Sequence, residues 1–293
     1  MSIAKLIKIA TDEIGYLEKK SDKDLDSKTK NAGRGNYTKY WRDLKPSYQG
    51  QPWCQCFVNW CFYKAYGLAN ARKLLCVRNF DYYTPTCAEA FQDAGQWGQT
   101  PKVGDVVYFR NSVRIHHVGL VIAVTHDNIT TIEGNTSPQT GGEDVVANGG
   151  GVWSKVYSKS NNAIAGYGRP KYANLCLNFV NRLYKQVLYR AGSAEEVAWW
   201  SERLASGLET GASIAKGFYL GDEYTAKNIP NRGYVYDLYR GLLGRSPDDG
   251  GYKYWLTRLD SKEMTREDVL RGFVNSVEYA KVCENCGIDR GAF

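Results

Sequence analysis

Histidine is scarce in this chain. His116, His117 and His126 are the only three among 293 residues, so chemistry that needs an imidazole has few places to occur. Long apolar runs are missing altogether. The opening MSIAKLIKIATDEIGYLEKK spaces Ile3, Leu6, Ile7, Ala10 and Ile14 at helical intervals with charges between them. That pattern predicts an amphipathic core helix over 3–17 and lacks the uninterrupted apolar stretch of a signal peptide. No later segment has the length and apolarity to span a bilayer. The expectation is a soluble product of the cytoplasm, with no membrane partner, that another agent must release if it acts outside the cell. A clustered basic stripe is also absent. The net charge is +7, but the 38 Lys and Arg are interspersed with 31 acids, which argues against a nucleic-acid partner. A mild positive balance suits a polyanionic surface such as a teichoic-acid-bearing cell wall. Metal-ligand spacing is incomplete as well. Cys54-x-Cys56 has no third or fourth ligand nearby, and Cys283-x2-Cys286 has neither a second pair nor a histidine. Eight cysteines in such a chain read as reduced thiols rather than a disulfide framework.

What is present divides in two. Hydrophobic residues make up 43%, enough for a packed core, and the 22 tyrosines suit broad, wet surfaces as well as cores. Up to about residue 170 the patterns are mixed. Helical spacing at 3–17 and 54–66 is followed by the short strands GDVVYF (104–109), HHVGLVIAV (116–124) and NITTIEGN (128–135), then the glycine-rich QTGGEDVVANGGGVW and IAGYGRPKY. Helices followed by an antiparallel run of strands predict an α+β domain. From 174 onward the pattern is purely helical and repeats. A constant offset of 55 carries Leu183 onto Leu238, Tyr184 onto Tyr239, Arg190 onto Arg245, Trp200 onto Trp255, Phe218 onto Phe273 and Glu223-Tyr224 onto Glu278-Tyr279. A duplicated module, about 179–228 and 234–283, gives domains of 1–173 and 174–293.

The stretch QPWCQCFVNWC (51–61) concentrates three cysteines. In a helix starting at Cys54, Cys56 points about 200° away and Cys61 lies two turns inside. Only Cys54 occupies the first turn, where the dipole and free N–H groups favour a thiolate and can hold an oxyanion. Three buried thiols remain the alternative reading. Along the strand 116–124, His117 shares a face with the small residues Gly119 and Ala123, so another element can come close. On the next strand Glu133 and Asn135 stand two apart and so share a face. A hairpin can bring either beside His117, completing the nucleophile, base and orienter arrangement. A structural histidine, a solvated strand charge and a turn residue are the competing readings of these three.

PWCQCFVNW, HHVGLV and TIEGNTS, in that order, resemble the CHAP domain, the cysteine, histidine-dependent amidohydrolase/peptidase. GYLEK, NYTKY, YTPT, NGGGV and IAGYGRPKY extend the likeness over about 1–172, nearest to CHAP domains of phage and prophage endolysins. The resemblance implies a papain-like fold, Cys54 as nucleophile, His117 as base, and Glu133 or Asn135 as the orienting residue. It implies peptidoglycan as substrate, cut at the N-acetylmuramoyl-L-alanine amide or alternatively at a peptide bond of the stem or cross-bridge. Gln51 and Trp53, flanking the nucleophile, are expected at the substrate. No cofactor is required. Some CHAP domains bind calcium, for which Asp22, Asp24 and Asp26 are the candidates here, although Ser27 and Gly33 spoil an EF-hand loop. The repeats resemble a bacterial family of unknown function found in wall-associated proteins, which implies a wall polysaccharide or teichoic acid as their ligand. Trp199 and its counterpart Tyr254 are the expected surface contacts. A monomer or small homo-oligomer is expected. A non-catalytic wall binder on a dead CHAP scaffold is the competing class.

Overall fold

A computed structural model of the chain describes residues 2–139 and 144–293. Two compact units divide at Lys171/Tyr172, with the residues preceding Lys5 grouped with the second.

The first unit carries α1 (Ile3–Asp12), α2 (Lys39–Leu44), α3 (Cys54–Leu74) and α4 (Thr84–Asp93). The strands β1 (Trp97–Gly98), β2 (Val106–Arg110), β3 (Ile115–Val124), β4 (Asn128–Thr136), β5 (Gly151–Ser158) and β6 (Ile164–Gly168) follow. They form one sheet in the order β1-β6-β2-β3-β4-β5, and every neighbouring pair is antiparallel. The α+β expectation therefore holds. Of the glycine-rich run, residues 140–143 lie outside the described residues, and β5 begins within its last part.

Two predicted helices end elsewhere. The first stops at Asp12 and not at 17, because Gly15 takes a positive φ of 86° and turns the chain so that Leu17 bridges Gly151. The second is expected to end at 66. It breaks at Gly67, whose φ of 74° is non-helical, and then resumes to Leu74. Residues Cys54 to Phe62 of α3 are buried without exception. This first half of the helix is enclosed on all sides, against α2 and against β3 and β4, so it shows no polar face; beyond Phe62 the helix reaches the surface at Lys64 and Leu68. Its approach to the sheet is closest at Gly134, where an added Cβ would fall 2.5 Å from the Cβ of Phe57.

The second unit is all-helical: α5 (Leu177–Gln186), α6 (Ala194–Ser206), α7 (Gly211–Tyr219), α8 (Asp222–Thr225), α9 (Asn231–Leu238), α10 (Asp249–Asp260), α11 (Arg266–Val274) and α12 (Val277–Asn285). Between α9 and α10 the chain makes a π-turn at Tyr239–Leu243, closed by Gly244 with φ 73°. The starts of α6, α7 and α8 lie 55 residues before those of α10, α11 and α12. Equivalent contacts repeat closely. Tyr184 meets Phe218 at 4.9 Å between ring centroids, and Tyr239 meets Phe273 at 4.9 Å. Arg190 grips Glu223 through Nε at 2.7 Å, and Arg245 grips Glu278 at 2.6 Å. Phe179, Leu183, Phe218, Leu238, Leu242 and Phe273 belong to one continuous core.

Candidate active site

Cys54 opens α3 and is the only one of the three clustered thiols at a cleft; Cys56 and Cys61 are sealed in the core. Burial pushes the thiols of Cys56 and Cys61 well above the ordinary cysteine range, which holds them inert. The cleft, about 370 Å³, is walled by aromatic rings of Trp41, Tyr48, Tyr82 and Tyr83, with Lys45 and Arg114 as its cations. Its one carboxylate, Asp81, is turned back onto its own loop. It accepts from the N–H groups of Tyr82 and Tyr83 and from the Thr86 hydroxyl.

β3 supplies His117, fully buried, and β4 supplies Glu133, also fully buried. Nε2 of His117 stands 2.9 Å from Oε2 of Glu133. The carboxylate also accepts from the Thr131 hydroxyl at 2.6 Å and from Tyr157 at 3.3 Å, which satisfies a charge that would otherwise be costly to bury. The small-residue face beside His117 is occupied here by Glu133 itself. A Cβ on Gly119 would lie 2.6 Å from Glu133 Cγ, so only glycine leaves the carboxylate room. Nδ1 of His117 is the nitrogen left over once Nε2 is committed to Glu133; it meets no acceptor or donor at full hydrogen-bond geometry, but Cys54 is close enough to act on the ring. Desolvation opposes charging of this ring, but Cys54 and Glu133 outweigh it and push its pKa up to about 10. The arrangement therefore favours an imidazolium held between a sulfur and a carboxylate.

A bulge in the β2–β3 ladder sets the neighbouring histidine apart. Phe109 pairs with His117 and Arg110 with Ile115, so His116 is the extra residue. It lines the cleft, and desolvation foremost, with the nearby His117 and Arg114, lowers its pKa. It is thus a neutral wall residue, whereas His117 lies beneath.

Glu133 and Asn135 do not share a face. The β4–β5 register shifts between Glu133 and Thr136, and Asn135 sits at φ 57°, which breaks the alternation. Asn135 is buried and bonds to the Asn148 side chain and the Gly150 N–H, holding the loop before β5, with no bond to the imidazole. Trp53, expected at the substrate, is instead fully buried. Its Nε1 donates to Glu18 at 2.8 Å, and its ring packs on Tyr16 and Tyr40, so it anchors the start of α3 from below. Gln51 does line the cleft. Trp199 and Tyr254, both about half exposed, occupy equivalent places in the second unit. Each meets the following tryptophan edge-on at 4.8 Å, and Arg203 and Arg258 lie over their respective rings. The acidic loop does not converge on a point. Asp26 is held by both terminal nitrogens of Arg42, and among the described residues no group of three His, Cys, Asp or Glu side chains is arranged to hold a metal.

Sequence reasoning missed Thr131 and Tyr157. Thr131 lies two residues before Glu133 on the same strand face, so alternation alone could have found it. Tyr157 comes from β5, and no local signal links it to the site.

Residues 46–135 match the family model of the CHAP domain. A domain of unknown function, DUF4214, matches twice, at 160–228 and 219–283. No curated protein matches the chain. Among solved structures, one titled "The crystal structure of Ly7917" is similar at 13% identity and a TM-score of 0.34, covering 58% of this chain and 62% of that one. The chain thus spans under two thirds of the length of that structure.

Proposed function

We propose that the protein is a peptidoglycan hydrolase, an endolysin that cleaves a wall amide through a thioester on Cys54. The observation that carries this reading is the buried His117–Glu133 pair beneath a cleft whose only clustered thiol is Cys54. The Cys54 thiolate attacks the amide carbon, and the C–N bond electrons become the lone pair of the departing amine. His117, as imidazolium, gives that amine its proton from Nδ1. The neutral ring then takes a proton from water, which attacks the thioester and releases the carboxylic acid and the Cys54 thiolate, restoring the thiolate beside the imidazolium. The free N–H groups of the first turn of α3 are the donors available to each oxyanion. Glu133 keeps the ring in the tautomer and orientation that present Nδ1 to sulfur.

The target we assign is the N-acetylmuramoyl-L-alanine amide, on the strength of the sequence resemblance. Mass spectrometry of digested walls decides. New N-terminal alanine on intact stems is the expected product, and a new amino group on a cross-bridge residue would make the enzyme an endopeptidase. Iodoacetamide near neutral pH should label Cys54 fastest. Uniformly slow labelling would favour the dead-scaffold reading. We further assign residues 174–293 to wall binding, with Trp199 and Tyr254 stacking on sugar rings. The repeated, half-exposed aromatic residues backed by arginine support this, and linked modest sites gain on a repetitive target. The isolated fragment should sediment with host walls and show no lytic activity.

A further inference from the structure

The two repeat copies are not equivalent at one junction. At the offset of 55, Arg182 corresponds to Asp237, and Tyr189 to Gly244. One side of this correspondence is closed. Tyr189 donates to Oδ1 of Asp237 at 2.6 Å and Tyr224 to Oδ2 at 2.7 Å, and Asp237 is only 4% exposed. Its charge is satisfied entirely within the protein.

The other side is open. Arg182 uses Nε and Nη2 on the carbonyls of Gly241 and Leu242, at 2.9 and 3.0 Å. Among the described residues no carboxylate pairs with it and Nη1 has no acceptor. Nη1 faces Gly244, where a side chain like Tyr189 would come against it: an added Cβ falls 2.6 Å away. Burial pulls the Arg182 pKa down, as expected for a guanidinium left without a counter-charge. The space kept free is a pocket of about 300 Å³ lined by Arg182, Gln186, Arg240, Gly244, Arg245 and Ser246. Arg245 is neutralised by Glu278 and Asp248. Arg240 lies over the Tyr236 ring and makes no ion pair among the described residues. Arg182, with no carboxylate partner, therefore faces one cavity with Arg240, which makes no ion pair but lies near enough to Asp237 to favour its charge, and with Arg245 at the rim.

We propose that this pocket binds a phosphoryl group, specifically the phosphodiester of an anionic wall polymer. Planar carboxylates are satisfied by one guanidinium fork. A tetrahedral anion with several oxygens uses donors arriving from different elements, as Arg182 on α5, Arg240 on the π-turn and the Ser246 hydroxyl beyond it do here. The duplicated module thus uses one copy of the junction to lock its own fold and leaves the other for a ligand. The choice of a wall polymer as the source rests on the wall-binding reading above; the site itself does not.

The test is calorimetric titration of the full chain with glycerol 3-phosphate, with glutamate as the carboxylate control. Saturable binding of the phosphate and not of glutamate is expected. Arg240→Gln should weaken it tenfold or more. Gly244→Asp should abolish it, because its side chain enters the space before Arg182 and supplies an internal carboxylate; an unchanged circular-dichroism spectrum shows that the fold survives the shift this forces on Arg182. Absence of phosphate binding, or unchanged affinity in both variants, would overturn the site. A poly(glycerol phosphate) chain should bind more tightly per phosphate than inorganic phosphate does. Equal affinity would overturn the polymer as source while leaving the anion site in place. None of these titrations uses walls, so their failure is separate from a failure of fragment sedimentation.

Discussion

The two units place their charges in opposite ways. In the first, His117–Glu133 is the one ion pair among the described residues with both side chains fully buried, and Thr131 is buried with it. In the second, the Arg190–Glu223 and Arg245–Glu278 pairs recur at the same offset, at similar distances and at similar, half-exposed depth. Burying a charged pair costs several kcal/mol of desolvation per ion before any attraction is counted, so a singular buried pair needs a reason beyond folding. Exposed pairs cost little and repeat freely as part of a scaffold. In this molecule the repeated ion pairs mark framework, and a departure from that repetition, Arg182 opposite Gly244, marks a place where a ligand is accommodated.

The largest effect should come from removing the singular thiol. Cys54→Ala is expected to lower wall lysis by about 10⁴-fold or more with an unchanged circular-dichroism spectrum, whereas Cys56→Ser and Cys61→Ser should act through stability alone. Clearing of purified walls by folded Cys54→Ala would remove the nucleophile assignment. Next comes Glu133→Gln. An amide can present an N–H to Nε2 and trap the wrong tautomer, so a loss of roughly 10²-fold or more is expected. The pH profile sharpens the assignment. Glu133 helps raise His117 to about 10, so the alkaline limb of kcat/KM, set by loss of the imidazolium proton, should move to lower pH in the variant. A limb that stays in place would mean that Glu133 does not act on His117.

A smaller loss is expected at the exposed aromatic residues. Trp199→Ala and Tyr254→Ala should each weaken wall sedimentation by roughly 5–30-fold, about 1–2 kcal/mol, while hydrolysis of soluble wall fragments by the full chain stays unchanged. Unequal effects at these equivalent positions would show that only one copy binds.

How much of this was legible in the sequence follows from the range of each signal. The α+β character of the first unit, the helical repeat and the placement of Cys54 at a helix start all come from periodicity within one element. Glu133 against His117 needed only one hairpin. The failures are all tertiary. Asn135 left the face of Glu133 because a bulge intervened, and alternation assumes an unbroken ladder. Trp53 looked like a substrate contact because it adjoins Cys54 in sequence, but the turn entering α3 aims it at Tyr16 and Tyr40. The enclosure of the first half of α3 was hidden too, since its polar Gln55 and Asn59 give no sign of burial in sequence and bond to one another at 3.0 Å. Tyr157 comes from a strand that no local pattern connects to the site.

The smallest expected effects test the scaffold half of the contrast. Glu223→Gln and Glu278→Gln each remove one carboxylate from an arginine at side-chain exposures of 43% on the acid side. At such exposure solvent screens most of the attraction, and each loss should be about 0.2–1 kcal/mol in denaturant unfolding. The equivalence of the copies predicts the same value for both within about 0.5 kcal/mol, and additivity in the double variant, since the two pairs share no partner. The sign of the pH dependence is fixed by the arginines, whose hydrogen bonds hold both carboxyls below the ordinary glutamate pKa. A group depressed in the folded state contributes stability above its unfolded pKa, and that contribution is lost as pH falls through the folded value. Wild type should therefore exceed each variant near pH 7, and the gap should close as the pH falls below the ordinary glutamate range. If one variant loses several kcal/mol while the other loses almost nothing, the repeated geometry does not carry repeated energetics, and repetition ceases to identify framework in this protein.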